Sequence, residues 1–171
     1  MKRLLILTAA LTAVVVLAAC GSSGGNTGSA APANAAPTVS TKQVDGVGTV
    51  LVNDKGLALY SPDEESNGQI KCAGACTSFW TPVAAGATTP TAAPGVAKLA
   101  VVRRPDGTMQ VTAGGRPLYT FTQDSPGNVK GNGFTDDFNG QHLTWHAVMA
   151  NGTAAATTPT TSGGAPAYGG Y

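Results

Sequence analysis

One short pattern is written twice in this chain. Arg116-Pro117-Leu118-Tyr119-Thr120-Phe121-Thr122-Gln123-Asp124 has a fainter counterpart 59 positions earlier, Leu57-Ala58-Leu59-Tyr60-Ser61-Pro62-Asp63-Glu64-Glu65. Each copy follows a glycine (Gly115, Gly56) and precedes a tryptophan (Trp145, Trp80). A duplicated segment of this kind points to one small domain assembled from two related units. In the clearer copy Tyr119 and Phe121 alternate, which on a strand places both on one face. Asp124 then arrives where the chain must turn.

The surrounding residues read as short strands with glycine and proline punctuation. Thr49 to Val52 is a β-branched run, Asn53-Asp54-Lys55-Gly56 has turn chemistry, and Leu57 to Tyr60 returns as a second strand. Pro62 is expected to stop it, followed by a polar loop holding Asp63, Glu64 and Glu65. Cys72 to Trp80 carries at most a single helical turn, and Ala84 to Gly95 reads as a linker. The second unit repeats the plan: a strand at Leu99–Arg103, a turn at Arg104–Gly107, a strand at Thr108–Thr112, and the Tyr119 strand. Ser125 to Gly140 reads as a long loop, where any function of the motif's surroundings is expected. Leu143 to Val148 closes as a strand with Leu143, Trp145 and Ala147 on one face. The expected fold is all-β, with at most one short helix and two related β-hairpin units forming a small sandwich or barrel-like domain.

Both ends lie outside that domain. Met1-Lys2-Arg3 and the apolar run from Leu4 to Leu17 have the layout of a secretory signal over 1–19, and the run is shorter than a membrane span requires. Leu17-Ala18-Ala19-Cys20 resembles the lipobox of bacterial lipoproteins. That resemblance implies acylation of Cys20 and a lipid anchor on the extracytoplasmic face of the cell membrane, palmitate among the expected chains. Multiple acyl chains give a stable anchor where one is marginal. Residues 20–42 read as a flexible tether spanning roughly 25 Å, 43–150 as the folded domain, and 151–171 as a disordered low-complexity tail carrying Tyr168 and Tyr171. The formal charge of +1 includes Lys2 and Arg3, so the mature chain holds eight basic against nine acidic residues. No basic field is present to hold nucleic acid.

Tyr119-Thr120-Phe121-Thr122-Gln123-Asp124 matches the Tyr-x-aromatic-x-x-Asp motif of a family of bacterial secreted lipoproteins with a short repeat of unknown function. Arg103 to Gly107, Gln110 to Thr112, Gly115, Pro117 to Tyr119 and Trp145-His146 are similar to further landmarks of that repeat. Cys72, Cys76 and Trp80-Thr81-Pro82 resemble the end of a first copy. In the first copy Pro62 replaces the aromatic and Glu65 the aspartate. The resemblance implies an extracytoplasmic module and no particular activity.

Candidate chemistry is sparse. Cys72 and Cys76, an even pair in an exported chain, read as a disulfide. Closing so short a loop stabilises by less than the ~3 kcal/mol of a 15-residue loop; a redox-active bridge is the rival reading. Cys72-x3-Cys76 with His142-x3-His146 superficially fits zinc-ligand spacing. Strand-borne histidines four apart are separated by roughly 13 Å, too far for one ion. Asp63, Glu64, Glu65, Asp124, Asp136 and Asp137 read as solvated loop acids, with calcium as the alternative for Asp136-Asp137. No nucleophile elbow, phosphate loop or dinucleotide fingerprint occurs. Tyr60, Tyr119, Phe121, Trp80 and Trp145 are expected in the core, with Asp124 or a backbone carbonyl receiving a buried tyrosine hydroxyl. The expectation is therefore a non-catalytic, lipid-anchored module without cofactor or metal, whose partner is an envelope protein, a glycan or a small ligand. The alternatives are a redox or metal-handling lipoprotein using Cys72, Cys76, His146 and Met109 or Met149, and, last, a hydrolase.

Overall fold

The computed structural model describes residues 38–87 and 90–157. The signal segment, Cys20, most of the tether, Thr88 and Thr89, and the tail beyond Thr157 lie outside the described residues. The chain forms β1 (Thr38–Val44), β2 (Gly48–Val52), β3 (Tyr60–Pro62), β4 (Trp80–Pro82), β5 (Thr91–Ala92), β6 (Leu99–Arg103), β7 (Met109–Ala113), β8 (Arg116–Pro117), β9 (Tyr119–Phe121), β10 (Phe134–Phe138) and β11 (Gln141–Ala147). Two 3-10 turns, Asp63–Glu65 and Gly74–Ser78, stand where at most one helical turn was expected. Among the described residues the strands make three sheets, ordered β2-β1-β5, β10-β11-β3-β9-β4 and β6-β7-β8, so this part is all-β with no closed barrel.

The five-stranded sheet is organised about the pairing of Tyr60 with Tyr119, which lie opposite each other in antiparallel β3 and β9. Equivalent residues paired antiparallel define a local twofold, and the outer neighbours obey it. On one side β11 sets Trp145 against Pro62, His146 against Ser61 and Ala147 against Tyr60. On the other side β4 sets Trp80 against Phe121, Thr81 against Thr120 and Pro82 against Tyr119. The correspondence continues past the strand ends. Val148 donates its N–H to Leu59 (2.8 Å) as Val83 does to Leu118 (2.9 Å). Leu51 donates to Val148 (2.8 Å) as Val111 does to Val83 (2.9 Å). Each unit's tryptophan strand thus leaves its own unit and completes the other's. The two related units are thus interleaved within one domain.

Alternation along the central strands feeds two cores. Leu59 and Leu118 join Val39, Leu51, Val111, Ala113 and Val148 in an aliphatic cluster. Their neighbours Tyr60 and Tyr119 point to the opposite face, into a cluster with Trp80, Phe121, Leu143, Trp145 and the Cys72–Cys76 pair. The sheet also curls. β10 and β4 are its two edges, yet Trp80 Nε1 lies 2.7 Å from Asp136 Oδ2 on β10. The rings of Trp80 and Phe134 are 6.0 Å apart, and those of Phe79 and Phe138 5.8 Å. Side chains, not backbone pairing, bridge this seam.

Four sequence expectations are corrected. β1 begins at Thr38, inside the stretch read as tether, because its β-branched residues pair in register with β2 and bury Val39. Beyond 150 the chain stays folded through Ala155, which is buried and donates its N–H to Ala147 (2.7 Å). The linker contains β5, paired in parallel with β1. The Ser125–Gly140 loop ends in β10, whose hairpin with β11 turns at Asn139 (φ 50°) and Gly140 (φ 74°). Positive φ at both residues is the geometry that favours Asn-Gly in two-residue hairpin turns.

Gly131 lies against the aromatic core. A Cβ there would come within 2.8 Å of Trp80 Cη2 and 3.0 Å of Tyr60 Cε1. Both rings are fully buried and have no room to yield. Gly131→Ala is expected to destabilise the domain by about 1–3 kcal/mol, the usual cost of overpacking. Urea unfolding checks this, and an unchanged midpoint would show that the rings are less tightly held.

Candidate functional site

The duplicated motif builds its chemistry across the twofold. Tyr60 donates its hydroxyl to Asp124 Oδ2 at 2.5 Å, and Tyr119 donates to Glu65 Oε2 at 2.8 Å. Each tyrosine therefore holds the acid of the other copy. Glu65, expected in a solvated loop, is fully buried. Its Oε1 accepts the backbone N–H of Lys71 (2.5 Å) and Cys72 (2.6 Å). Asp124 Oδ1 likewise accepts the N–H of Lys130 (3.0 Å), at the same distance along the chain as Lys71 from Glu65. The replacement of aspartate by glutamate in the first copy leaves this role intact.

A longer sequence signal underlies this match. Glu65-Ser66-Asn67-Gly68-Gln69-Ile70-Lys71 and Asp124-Ser125-Pro126-Gly127-Asn128-Val129-Lys130 align at the same spacing of 59 as the motif itself. Gly68 (φ 80°) and Gly127 (φ 88°) turn both loops through the left-handed region that glycine tolerates. The loop after Asp124 is thus the structural counterpart of the one after Glu65.

Around Tyr119 the network extends to Arg104, expected at a surface turn but only 4 % exposed. Arg104 Nη1 donates to Gln110 and to the Tyr119 hydroxyl (3.2 Å), and Nη2 donates to the Cys72 carbonyl (2.7 Å). The Tyr119 hydroxyl stands between the Arg104 guanidinium and the Glu65 carboxylate, so two buried charges offset each other through one phenol. Around Tyr60 the matching donor is only a backbone group, the N–H of Gly131 at 3.3 Å.

The two tryptophans meet between these clamps. Trp80 and Trp145 stack with centroids 3.8 Å apart and planes 6° from parallel. Phe121 stacks on the outer face of Trp80 at 4.3 Å. Pro62 is the residue that corresponds to Phe121, and it pairs with Trp145. Proline thus stands at the aromatic's position in the first copy. Both indole N–H groups donate to one carboxylate, Trp80 to Asp136 Oδ2 (2.7 Å) and Trp145 to Asp136 Oδ1 (3.0 Å).

The remaining candidates are dispersed. Cys72 and Cys76 form a disulfide with Cα atoms 5.4 Å apart, and both are buried. His142 sits on exposed β11 surface against Asp137 (3.1 Å). Both nitrogens of His146 face acceptors, Nδ1 toward the Ala155 carbonyl (3.1 Å) and Nε2 toward Asp63 (3.2 Å). Ser61 lies opposite His146 in register, its buried hydroxyl without a partner among the described residues. Met109 is exposed on β7, whereas Met149 packs against the aromatic core. Among the described residues no group of three or more His, Cys, Asp or Glu side chains is placed to hold a metal ion. The reading of the acids as solvated is corrected for Glu64, which accepts the N–H of Thr144 (2.9 Å), as well as for Glu65, Asp124 and Asp136.

Burial raises the carboxyls of Glu65, Asp124 and Asp136 above the usual carboxylate range, against the donors that favour the charged form. Burial and the adjacent carboxylates push the phenols of Tyr60 and Tyr119 well above their ordinary value. Each of the three acids binds its proton more tightly in the fold than in the unfolded chain. Their contribution to stability is therefore complete below the ordinary carboxylate range and is lost as pH rises through the raised values. Asp106 shifts the opposite way but is fully exposed and solvent-screened. Denaturant unfolding is expected to give a midpoint that climbs as pH is lowered from neutrality toward the ordinary carboxylate range. A midpoint that falls steadily over that interval would contradict the balance described.

Among the described residues no helix is long and apolar enough to cross a membrane. No curated protein and no solved structure matches the chain. The stretch from residue 100 to residue 149, which carries Tyr119, Phe121, Asp124, Asp136 and Trp145, matches the model of a lipoprotein family described as a secreted repeat of unknown function.

Proposed function

We propose that this chain is a lipid-anchored extracytoplasmic lipoprotein whose two-repeat β domain serves as a non-catalytic binding or envelope-associated module. The observation that carries the reading is the inward consumption of the motif. Both tyrosine hydroxyls, both indole N–H groups and three carboxylates are bonded to one another inside the fold. A motif spent in this way defines the architecture, and recognition falls to the exterior. The match to a secreted repeat supports an extracytoplasmic place, and the Leu17-Ala18-Ala19-Cys20 run supports the anchor. Exposed Phe79, beside Phe138 at the seam, offers an apolar contact for an envelope protein, a glycan or a small ligand.

The anchor is tested by labelling cells with radioactive palmitate and fractionating membranes. The wild-type chain is expected in the membrane fraction carrying label, and Cys20→Ala is expected to lose the label and leave the membrane. Label retained on Cys20→Ala would refute acylation at that position.

A further inference from the structure

The described part of the chain contains two tryptophans and two tyrosines, and all four meet in one cluster. The stacked Trp80–Trp145 pair is flanked on one side by Tyr60, 5.4 Å from Trp80, and on the other by Tyr119, 5.1 Å from Trp145. Each N–H or O–H of these four rings donates to a carboxylate: Asp136 for both indoles, Asp124 for Tyr60 and Glu65 for Tyr119. A backbone carbonyl would satisfy such donors, and burying a carboxylate adds a desolvation cost that a carbonyl does not. What a carboxylate does that a carbonyl cannot is take the proton outright.

We propose that this cluster is a proton-coupled electron relay that accepts single oxidising equivalents from small one-electron radical oxidants. This goes beyond the binding role above and does not depend on the lipid anchor. In the first step the oxidant removes one electron from the stacked indoles and is itself reduced by one electron. The indole N–H proton passes to Asp136, leaving a neutral tryptophanyl radical beside a carboxylic acid. In the second step Tyr60 supplies an electron to that radical. The indole nitrogen regains its proton from Asp136, and the phenolic proton of Tyr60 passes to Asp124. The products are intact tryptophan, a tyrosyl radical and a protonated Asp124. Tyr119 and Glu65 provide the equivalent arm through Trp145. Stacking at 3.8 Å spreads the first radical over two rings. The half-buried Asp136, which accepts both indole N–H groups, lies on the edge strand β10. Burial, which raises the proton affinity of all three acids, favours the proton transfers to Asp136, Asp124 and Glu65.

Pulse radiolysis with the azide radical tests the relay in the full chain carrying Tyr168→Phe and Tyr171→Phe, which leaves the core tyrosines as the only ones present. The tryptophanyl absorption is expected to convert to the tyrosyl absorption in a first-order process whose rate does not depend on protein concentration. Adding Tyr60→Phe and Tyr119→Phe is expected to abolish the conversion. Asp124→Asn in the Tyr119→Phe background is expected to slow it by about a hundredfold, the loss typical of removing a positioned proton acceptor. A tryptophanyl radical that decays only by second-order encounter in the chain lacking the tail tyrosines would overturn the relay. That chain keeps every core residue, so its result stands even if a core variant fails to fold. An Asp124→Asn variant that is folded and converts at an unchanged rate would overturn the role of the carboxylate.

Discussion

A phenol buried among hydrocarbon needs an acceptor, and a buried carboxylate needs donors; here each copy of the repeat supplies one need and leaves the other to its twin. Tyr60 is held by Asp124 and Tyr119 by Glu65, across a twofold that runs between the two tyrosines. Neither pair forms within one unit. Cutting either link strands a polar group in the interior, at a typical cost of about 1–3 kcal/mol. The mutual dependence sets the register of β3 against β9. That register in turn sets where the tryptophan strands β4 and β11 dock.

The same arrangement accounts for the two cores. Because Leu59-Tyr60 and Leu118-Tyr119 lead into the central strands β3 and β9, each dipeptide sends one side chain to each face. The leucines anchor an aliphatic layer beneath the hairpins, and the tyrosines anchor an aromatic layer inside the curl of the sheet. The disulfide belongs to the second layer. The backbone of Cys72 ties Glu65 to Arg104, so the short bridge pins the chain where the buried charges meet.

Much of this was legible in the residues, and what was hidden was hidden for physical reasons. The strand carrying Leu143, Trp145 and Ala147 follows from alternation, and the Cys72–Cys76 bridge follows from pairing in an exported chain. The burial of Glu65 and Arg104 was not legible, because charged residues near turns read as solvated unless their partners are known. Those partners lie 54 and 32 positions away, Tyr119 for Glu65 and the Cys72 carbonyl for Arg104. β10 was concealed by its own composition, since Asp136 and Asp137 on a strand look like a loop until the indoles are placed against Asp136. Two signals were present and legible: the aligned runs from Glu65 to Lys71 and Asp124 to Lys130, and the Asn139-Gly140 turn.

The exchange of tryptophan strands imposes a rule of parity on chains of this design. One unit alone has a tyrosine strand without its outer neighbour and a tryptophan strand without a place to dock. A chain can grow by two units at a time and keep every strand matched. An odd number leaves one unmatched set, which only another odd chain would complete. The interleaving therefore makes the pair, not the single copy, the smallest set in which both tyrosine strands have their outer neighbours.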